Sequence, residues 1–420
     1  MAYASLGTIH SNIGETNLGA ENTRKAYELR ERVSEREKFY IESHYTQFVT
    51  GDLDKASQVC ELWAQTYPRD SVAPNNLSVI YDYLGQYDKA LAEMREALRL
   101  DPAGAQDYAN LVSSYLSLNR LKEARASAEE AQAKKLDSGY LRMLLYQVAF
   151  LQNDAAGMAQ FAAWVADKPR MQGLVLDFET DTAAYSGRIG KARELSHRAV
   201  ALAERREDKE IAAAYEAKAA VREAVFENVA AAQQRAAAAL ALSTGRDVQY
   251  GAALALALAG DAVRAQALAD DLAERFPEDT IVQFNYLPTI HAQLALERDD
   301  SSKALEALQA AAPYELGSPG SATFNFVSLY PAYVRGGVYL SRRQGSEAAA
   351  EFQKILDWPG VVIDEPIGAL SHLQLARACA LTGDTAKARA AYQDFLTLWK
   401  DADPDISVLK QAKSEYAKLQ

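Results

Sequence analysis

The small and hydrophobic residues of the chain recur in a frame that predicts short helices joined in pairs. The stretch "YDYLGQYDKALAEMREALRLDP", residues 81–102, reads as two helices with a turn at Gly85. Ala90 and Ala97 are seven residues apart, so they lie on one face of the second helix and let neighbouring helices approach closely. Gly85 suits a turn with positive φ, and Pro102 ends the unit because proline disrupts a helix interior. The pattern therefore predicts a helix–turn–helix module.

The same frame returns along the chain with a regular period. The steps from residue 56 to 90, 124, 158 and 192 are each 34 residues, and the later steps are 40, 33, 39, 46 and 38. The position of Ala90 is filled, copy by copy, by Gly19, Ala56, Ala90, Ala124, Met158, Ala192, Ala232, Ala265, Ala304, Ala350 and Ala388. A fixed period of this size is typical of stacked supersecondary units. We therefore expect eleven helix pairs followed by one final helix.

The spacing also predicts a division of the chain. We expect an N-terminal array over 1–245, regular over 37–206, a C-terminal array with longer insertions over 246–404, and a solvated capping helix over 405–420. Pro and Gly clusters at 313–331 and 357–366 predict loops, which either carry function or adjust the stacking between pairs. Because the frame begins almost at residue 1, we interpret the start of the chain as a domain border.

The period and the Gly–Ala–Pro pattern resemble the tetratricopeptide repeat. This resemblance implies an all-α fold, a right-handed α-solenoid of helix pairs that binds protein or peptide on its concave surface. In that family, positions 2, 5, 9, 12 and 13 of each first helix line the concave surface. In this chain we take as groove residues Tyr45, Phe48, Asn75, Val79, Asp82, Tyr83, Tyr140, Gln147, Phe150, Asp181 and Tyr185.

The character of these residues favours one kind of partner. The wall is aromatic and apolar with a few carboxylates, so we expect a neutral or basic peptide on aromatic anchors. The alternative is that neighbouring helices or another segment of the chain bury these side chains. Position 5 and 9 residues such as Asn75 and Val79 do not match the Lys/Asn clamp by which some family members hold a C-terminal carboxylate.

The tenth pair carries a different set of residues. On the predicted frame, Arg335, Tyr339, Arg342 and Arg343 occupy positions 5, 9, 12 and 13, and Arg377 occupies position 9 of the next pair. Guanidinium groups bind carboxylates and phosphates bidentately, so the cluster predicts an anion-binding groove. The alternative is pairing of these arginines with nearby glutamates of the chain.

Composition narrows the classes of partner. The formal net charge is -12 and the pI is about 5.1, which argues against nucleic acid and against an anionic membrane surface. The longest apolar runs are shorter than the ~20 residues that span a bilayer, and no signal peptide opens the chain. We expect a cytoplasmic location, or an extracytoplasmic one if a membrane-spanning segment precedes this chain.

The sequence contains no pattern of catalytic or metal-binding residues. None of the five histidines stands in an H-x-x-x-H or H-E-x-x-H frame, and the two cysteines are far apart. Carboxylate-rich stretches such as "LERDDSSKA" fit helix caps better than acid–base pairs. We therefore expect no enzyme activity, no metal and no cofactor in this chain.

Two stretches carry a closer resemblance. "KAYELRERVSEREKFYIESHYTQFVTGDLDKA" and "ARACALTGDTAKARAAYQDFLTLWKDADPDISVLKQAKSEYAKLQ" are similar to the repeat region that follows the kinase domain in acidobacterial serine/threonine kinases of the eukaryotic-like type. The resemblance implies a regulatory or substrate-docking region of a larger kinase. The alternatives are a sensor of a small anionic ligand at the arginine cluster and a module for self-association through the terminal pairs.

Overall fold

The computed structural model describes residues 1–168, 171–317 and 329–419. Within these ranges the chain forms 24 α-helices and no strand. An all-α fold is what the 3.6-residue spacing of small and large apolar residues requires, because each helix buries one stripe against its neighbours. The predicted fold class, an all-α solenoid of helix pairs, is confirmed.

The chain divides into two compact units. The first contains Met1–Trp164, Phe276–Gln283 and, beyond them, Leu316 and Gly317. The second contains Val165–Arg275, Phe284–Glu315 and the described residues from Leu329 onward. The predicted division at residue 245 concerns the regularity of the repeats, and this partition does not test it.

The first unit is built from consecutive helix pairs. Its helices are α1 (Ala2–Asn12), α2 (Thr16–Glu28), α3 (Glu35–Tyr45), α4 (Leu53–Thr66), α5 (Val72–Tyr83), α6 (Tyr87–Leu100), α7 (Ala105–Ser117), α8 (Leu121–Ala133), α9 (Gly139–Leu151) and α10 (Ala155–Val165), which ends one residue past the boundary. A 3₁₀ turn covers Arg30–Arg32, and α3 continues into a π-helical turn at Thr46–Thr50.

The second unit continues the same construction. Its helices are α11 (Gln172–Tyr185), α12 (Ile189–Arg205), α13 (Lys209–Val225), α14 (Val229–Leu242), α15 (Arg246–Leu258), α16 (Ala262–Arg275), α17 (Leu287–Glu297), α18 (Ser301–Gln309), α19 (Tyr330–Ser341), α20 (Gly345–Asp357), α21 (Pro359–Val362), α22 (Pro366–Thr382), α23 (Thr385–Leu398) and α24 (Ser407–Ala417). A second π-helical turn, Val282–Tyr286, leads into α17.

Each pair turns at one residue with left-handed backbone geometry. These residues are Gly14, Gly51, Gly85, Asn119, Asn153, Gly187, Glu227, Gly260, Asp299, Arg343 and Gly383. The described ranges contain eleven such turns, one within each helix pair, so the predicted number of helix pairs is confirmed, and the other positive-φ residues, Lys135, Glu207 and Ile363, lie between pairs. Five of the eleven are not glycine, which shows that the turn itself tolerates a side chain where space allows.

The packing residue of the second helix follows each turn at a constant distance. It lies five residues after the left-handed residue in every pair, as Ala90 follows Gly85, and Ala90 is fully buried. In the tenth pair the turn is at Arg343, which places the packing residue at Ala348. Ala348 is fully buried, whereas Ala350 is exposed. The predicted frame of the tenth pair, anchored on Ala350, is therefore wrong by two residues.

The two predicted insertions have different outcomes. Residues 318–328 of the 313–331 insertion, which include most of "GSPGSA", lie outside the described residues. The 357–366 segment was expected to be a loop, but it contains the one-turn helix α21 and ends in the buried residues Asp364 and Glu365. Proline at the first position of α21 pre-sets a helical φ, which explains the short helix.

The chain ends in the predicted extra helix. In α24 the side chains of Val408, Leu409 and Ala412 are buried, whereas Lys410 and Lys413 are exposed. The helix thus has one apolar stripe and one charged face, as expected of an amphipathic helix that packs on one side.

Candidate functional site

Three successive first helices of the first unit form a continuous polar row. The Nδ2 atom of Asn110 in α7 donates to Oδ1 of Asn75 in α5 at 3.0 Å, and Gln106 Nε2 donates to Asn110 Oδ1 at 3.2 Å. Tyr140 in α9 is hydrogen-bonded to Ser113 in α7. These bonds link α5, α7 and α9 side by side. We call the surface formed by Asn75, Val79, Asp82, Tyr83, Ser113 and Tyr140 the first-helix face.

Most predicted groove residues on this face are partly exposed. Asn75, Val79, Asp82, Tyr83 and Tyr140 all retain some solvent-accessible surface. Further along α9, Phe150 is partly exposed and Gln147 is buried. The first-helix face therefore offers both aromatic rings and hydrogen-bonding groups to a partner.

Two predicted aromatic anchors of α3 and its π-helical turn have partners in the chain. Tyr45 stacks on Tyr27 of α2, with ring centroids 3.8 Å apart, and Arg30 covers the Tyr27 ring. Phe48 contacts His44, whose pKa burial lowers to about 4. Both anchors are partly exposed although each contacts another ring of the chain.

Asp82 is the unusual member of the first-helix face. Its Oδ1 atom is buried and accepts no hydrogen bond. Burial raises the pKa of the Asp82 carboxyl to about 8, since no donor or cation offsets the loss of water. The Nδ2 atom of Asn76, on the same helix, is also buried without an acceptor.

In the second unit, the predicted groove residues of α11 lie next to another helix of the chain. Asp181 and Tyr185 of α11, both predicted groove residues, lie against α22 and the segment before it. A Cβ atom at Gly368 of α22 would lie 3.0 Å from Cε2 of Tyr185. Asp181 is buried, whereas Tyr185 keeps some solvent-accessible surface beside α22. Their part in a groove stays a prediction.

A network of buried charges lies beneath α22. The Nζ atom of Lys218 in α13 is 2.6 Å from both Asp177 Oδ2 and Asp181 Oδ2, and Arg222 also pairs with Asp181. All four side chains are at most 8% exposed. Since the two cations balance two carboxylates and fill their hydrogen bonds, the network is internally satisfied.

Two further acids border this network. Asp364 accepts a hydrogen bond from Thr182 at 2.9 Å, and Glu365 accepts one from Tyr330 at 2.8 Å. Burial and the nearby Asp181 charge raise the pKa of Asp364 to about 8 and that of Glu365 to about 7. Sequence reasoning missed these residues. The available signal was Lys218 and Arg222, two cations four residues apart in the alanine-rich helix α13.

The structure separates the residues of the predicted arginine cluster. In the corrected frame Arg335 is at position 7, where it is buried and pairs with Glu315 at 2.6 Å and Glu351 at 2.7 Å. Arg377 instead pairs with Glu415 of α24 at 2.9 Å. An added anion would have to compete with these carboxylates. Tyr339 is partly exposed, and Arg342 and Arg343 are exposed at the end of α19. Anion binding stays an untested prediction.

The described ranges show neither a metal-binding cluster nor a membrane-spanning helix. No group of three or more His, Cys, Asp or Glu side chains within them is arranged to hold a metal ion. Over the same residues, no helix has both the length and the apolar character needed to cross a bilayer. Asp300, in the carboxylate-rich stretch "LERDDSSKA", caps α18 through the Lys303 amide, as the sequence predicts.

The fold defines a helix-pair repeat protein, and one repeat has a matching family model. Residues 75–103 match the tetratricopeptide repeat model, which places one repeat across α5 and α6. A comparison with curated proteins found no significant match.

Three solved structures that resemble the chain are 11–14% identical to it. Yeast Tom70 is 14% identical, covers 95% of this chain and 96% of its own, and has a TM-score of 0.29. The APC/C hetero-tetramer Cut9-Hcn1 is 11% identical over 98% of this chain and 74% of its own, with a TM-score of 0.45. A tetratricopeptide repeat protein from Parabacteroides merdae is 14% identical over 82% and 98%, with a TM-score of 0.27. Such likeness carries no information about what this chain binds.

Proposed function

We propose that this chain is a protein-binding scaffold that holds a peptide segment of its partner on the first-helix face of the first unit. The observation that carries the proposal is the contrast between α5 in the first unit and α11 in the second. Asn75 and Val79, at positions 5 and 9 of α5, are partly exposed, whereas Asp177 and Asp181, at the same positions of α11, are buried in ion pairs with Lys218. A repeat surface that presents aromatic rings beside amide groups suits an extended or helical peptide.

The electrostatics support a protein partner over a polyanion. With 57 acidic and 45 basic side chains, the chain lacks the excess of cations that phosphate binding requires. The helices of the first-helix face carry one arginine, Arg142, and its guanidinium pairs with Asp137 at 2.8 Å. A neutral or basic peptide therefore meets no electrostatic barrier there.

A matched pair of substitutions tests the proposal. Val79 is partly exposed at the centre of the first-helix face, and Val263 on α16 is 83% exposed in the second unit. Peptides selected from a random displayed library on the wild-type chain should lose binding to Val79→Lys and keep it with Val263→Lys. Fluorescence anisotropy with the synthetic peptides provides the measurement. Equal binding by both variants, or failure to select any peptide, would contradict the proposal.

We further propose that the scaffold docks substrates for an attached serine/threonine kinase. This step rests on the two sequence stretches that resemble kinase-associated repeats. The coding sequence upstream of this chain tests it directly. A protein kinase domain in the same reading frame is the expected result, and its absence would remove the kinase context while leaving peptide binding untouched.

Self-association is a second candidate because α1 carries an exposed apolar stripe. Tyr3, Leu6 and Ile9 follow one face of α1, and these residues and Ile13, which directly follows the helix, are 43–54% exposed. A second copy of the chain could bury this stripe, since pairing of apolar faces is how internal repeats stack. Sedimentation velocity over a range of concentrations should then show a dimer that Ile9→Glu abolishes. A monomer at every concentration would refute it.

A further inference from the structure

We infer that Asp82 is the receptor for a single cationic side chain, arginine or lysine, in the peptide that the first-helix face binds. This inference rests on the proposed function and specifies the chemistry of its ligand. It makes the site selective for peptides with one basic residue at a fixed position among apolar neighbours.

The first ground is the state of the carboxylate. Oδ1 of Asp82 is buried without a donor, and in the described part of the chain no other carboxylate oxygen is in that position. A buried acceptor that lacks a partner loses its hydration without compensation, which is costly for a charged group. Oδ1 itself is buried, but the residue as a whole is partly exposed on the first-helix face, so a cation can approach the carboxyl group from that face.

The second ground is the absence of a cation nearby within the described residues. Helices α5 and α7 contain no Lys or Arg, and the one arginine of α9, Arg142, is held by Asp137. The groups whose titration the Asp82 charge affects are Tyr87 of α6 and Tyr140 of α9. The Tyr87 hydroxyl donates to the Leu316 carbonyl, and Tyr140 is hydrogen-bonded to Ser113.

The third ground is a precedent within the chain. On α11, Asp177 and Asp181 occupy positions 5 and 9 of a first helix, the same type of surface that carries Asp82 at position 12. There, Lys218 reaches two carboxylates with Nζ 2.6 Å from each. A buried first-helix carboxylate in this fold is thus satisfied by a long cationic side chain from a neighbouring helix. Asp82 has the same need and no such neighbour.

The surroundings favour arginine or lysine over other donors. The ring of Tyr140, partly exposed on the same face, suits a flat guanidinium or an alkyl-ammonium chain. The amide row of Asn75 and Asn110 can hold the peptide backbone next to the basic side chain. The net charge of -12 further favours a basic ligand by long-range attraction.

The experiment uses the full chain and peptides selected from a random library on it. Each basic residue of a selected peptide is replaced by norleucine, or arginine by citrulline, which keeps shape and removes charge. One replacement should weaken binding to the wild type by about 30-fold or more, as breaking a desolvated charge pair does. The same replacement should change the affinity for the Asp82→Asn variant less than threefold. It should weaken binding to the Asp88→Asn variant, a control at an exposed residue of α6, as much as binding to the wild type.

The outcomes separate the two proposals. If no peptide is selected, or if Val79→Lys binds every selected peptide as the wild type does, the proposed function fails and the inference fails with it. If peptides bind at the face but neutral analogues bind equally well, the scaffold stands and the Asp82 receptor is refuted. The peptide replacements require no protein variant, so a folding defect in Asp82→Asn cannot obscure the result.

Discussion

Replacing Lys218 by methionine should destabilise the second unit strongly. The side chain of Lys218 is 8% exposed, and its Nζ lies 2.6 Å from one oxygen each of Asp177 and Asp181. Both carboxylates are buried, so water cannot replace the lost ammonium group. Arg222 would remain paired with Asp181, whereas Asp177 would lose the ammonium group that is hydrogen-bonded to it.

The expected magnitude follows from this geometry. Breaking a buried ion pair by removing one partner costs about 3–5 kcal/mol, because the remaining charge stays desolvated and unpaired. Methionine fills nearly the same volume, so little of the loss comes from a cavity. The double variant Asp177→Asn/Lys218→Met removes the orphaned carboxylate as well, and it should recover at least ~1 kcal/mol of the free energy of unfolding.

Urea unfolding followed by circular dichroism measures the free energy of unfolding. Hydrogen exchange of the amides in α11 and α13 shows whether the loss of stability lies in these two helices. Lys387→Met is the matched control, because that side chain is 77% exposed and its pair with Asp384 is a surface one. It should change stability by less than ~0.5 kcal/mol. A Lys218→Met variant as stable as the Lys387→Met control would refute the view that this network holds α11 and α13 together.

Three other predictions follow from backbone geometry and titration. Gly85→Ala should destabilise more than Gly383→Ala: both residues have positive φ, but a Cβ at Gly85 would lie 2.7 Å from the backbone nitrogen of Gly317, whereas none lies within 4 Å at Gly383. We expect ~1–2 kcal/mol for Gly383→Ala and more for Gly85→Ala in urea titrations, and equal losses would contradict the contact. The pKa of Asp364 is raised in the folded state to about 8. The protonated carboxyl therefore contributes fully to the free energy of unfolding below pH ~4, and this contribution is lost as the pH rises through 8. Asp364→Asn should flatten the fall in stability between pH 5 and pH 8.5, and an unchanged slope would exclude this carboxyl as the source. Since the pKa of Asp82 is about 8, an arginine peptide should bind the wild type roughly tenfold more tightly at pH 9 than at pH 7, and pH should have no such effect on Asp82→Asn.

The repeat architecture was predictable because its determinants are local. A glycine such as Gly85 permits the left-handed turn, and Ala90, five residues later, sets the approach of the helices. The frame failed in the tenth pair because Arg343 turns the chain where glycine is usual, and three consecutive alanines, 348–350, offered no unique anchor. Burial distinguishes Ala348 from Ala350, and burial depends on neighbours that the local pattern does not contain.

The candidate site was predictable only in part. The sequence placed Asn75, Val79 and Asp82 on one helical face, since their spacing follows the 3.6-residue period. It could not show that Asp82 has an oxygen without a donor, because that depends on which side chains three other helices bring near it.

The amino-acid sequence by itself determined that this protein is an array of eleven helix pairs with a final helix, because helix periodicity, turn residues and small packing residues act within some 34 positions of one another. Only the tertiary structure decided which first-helix residues are accessible. Gly368 of α22 lies against Tyr185, a contact between residues 183 positions apart, and Asp181 on the same helix is buried in its ion pair with Lys218. Such contacts depend on how distant pairs pack, and that is set by the summed geometry of all the repeats between them.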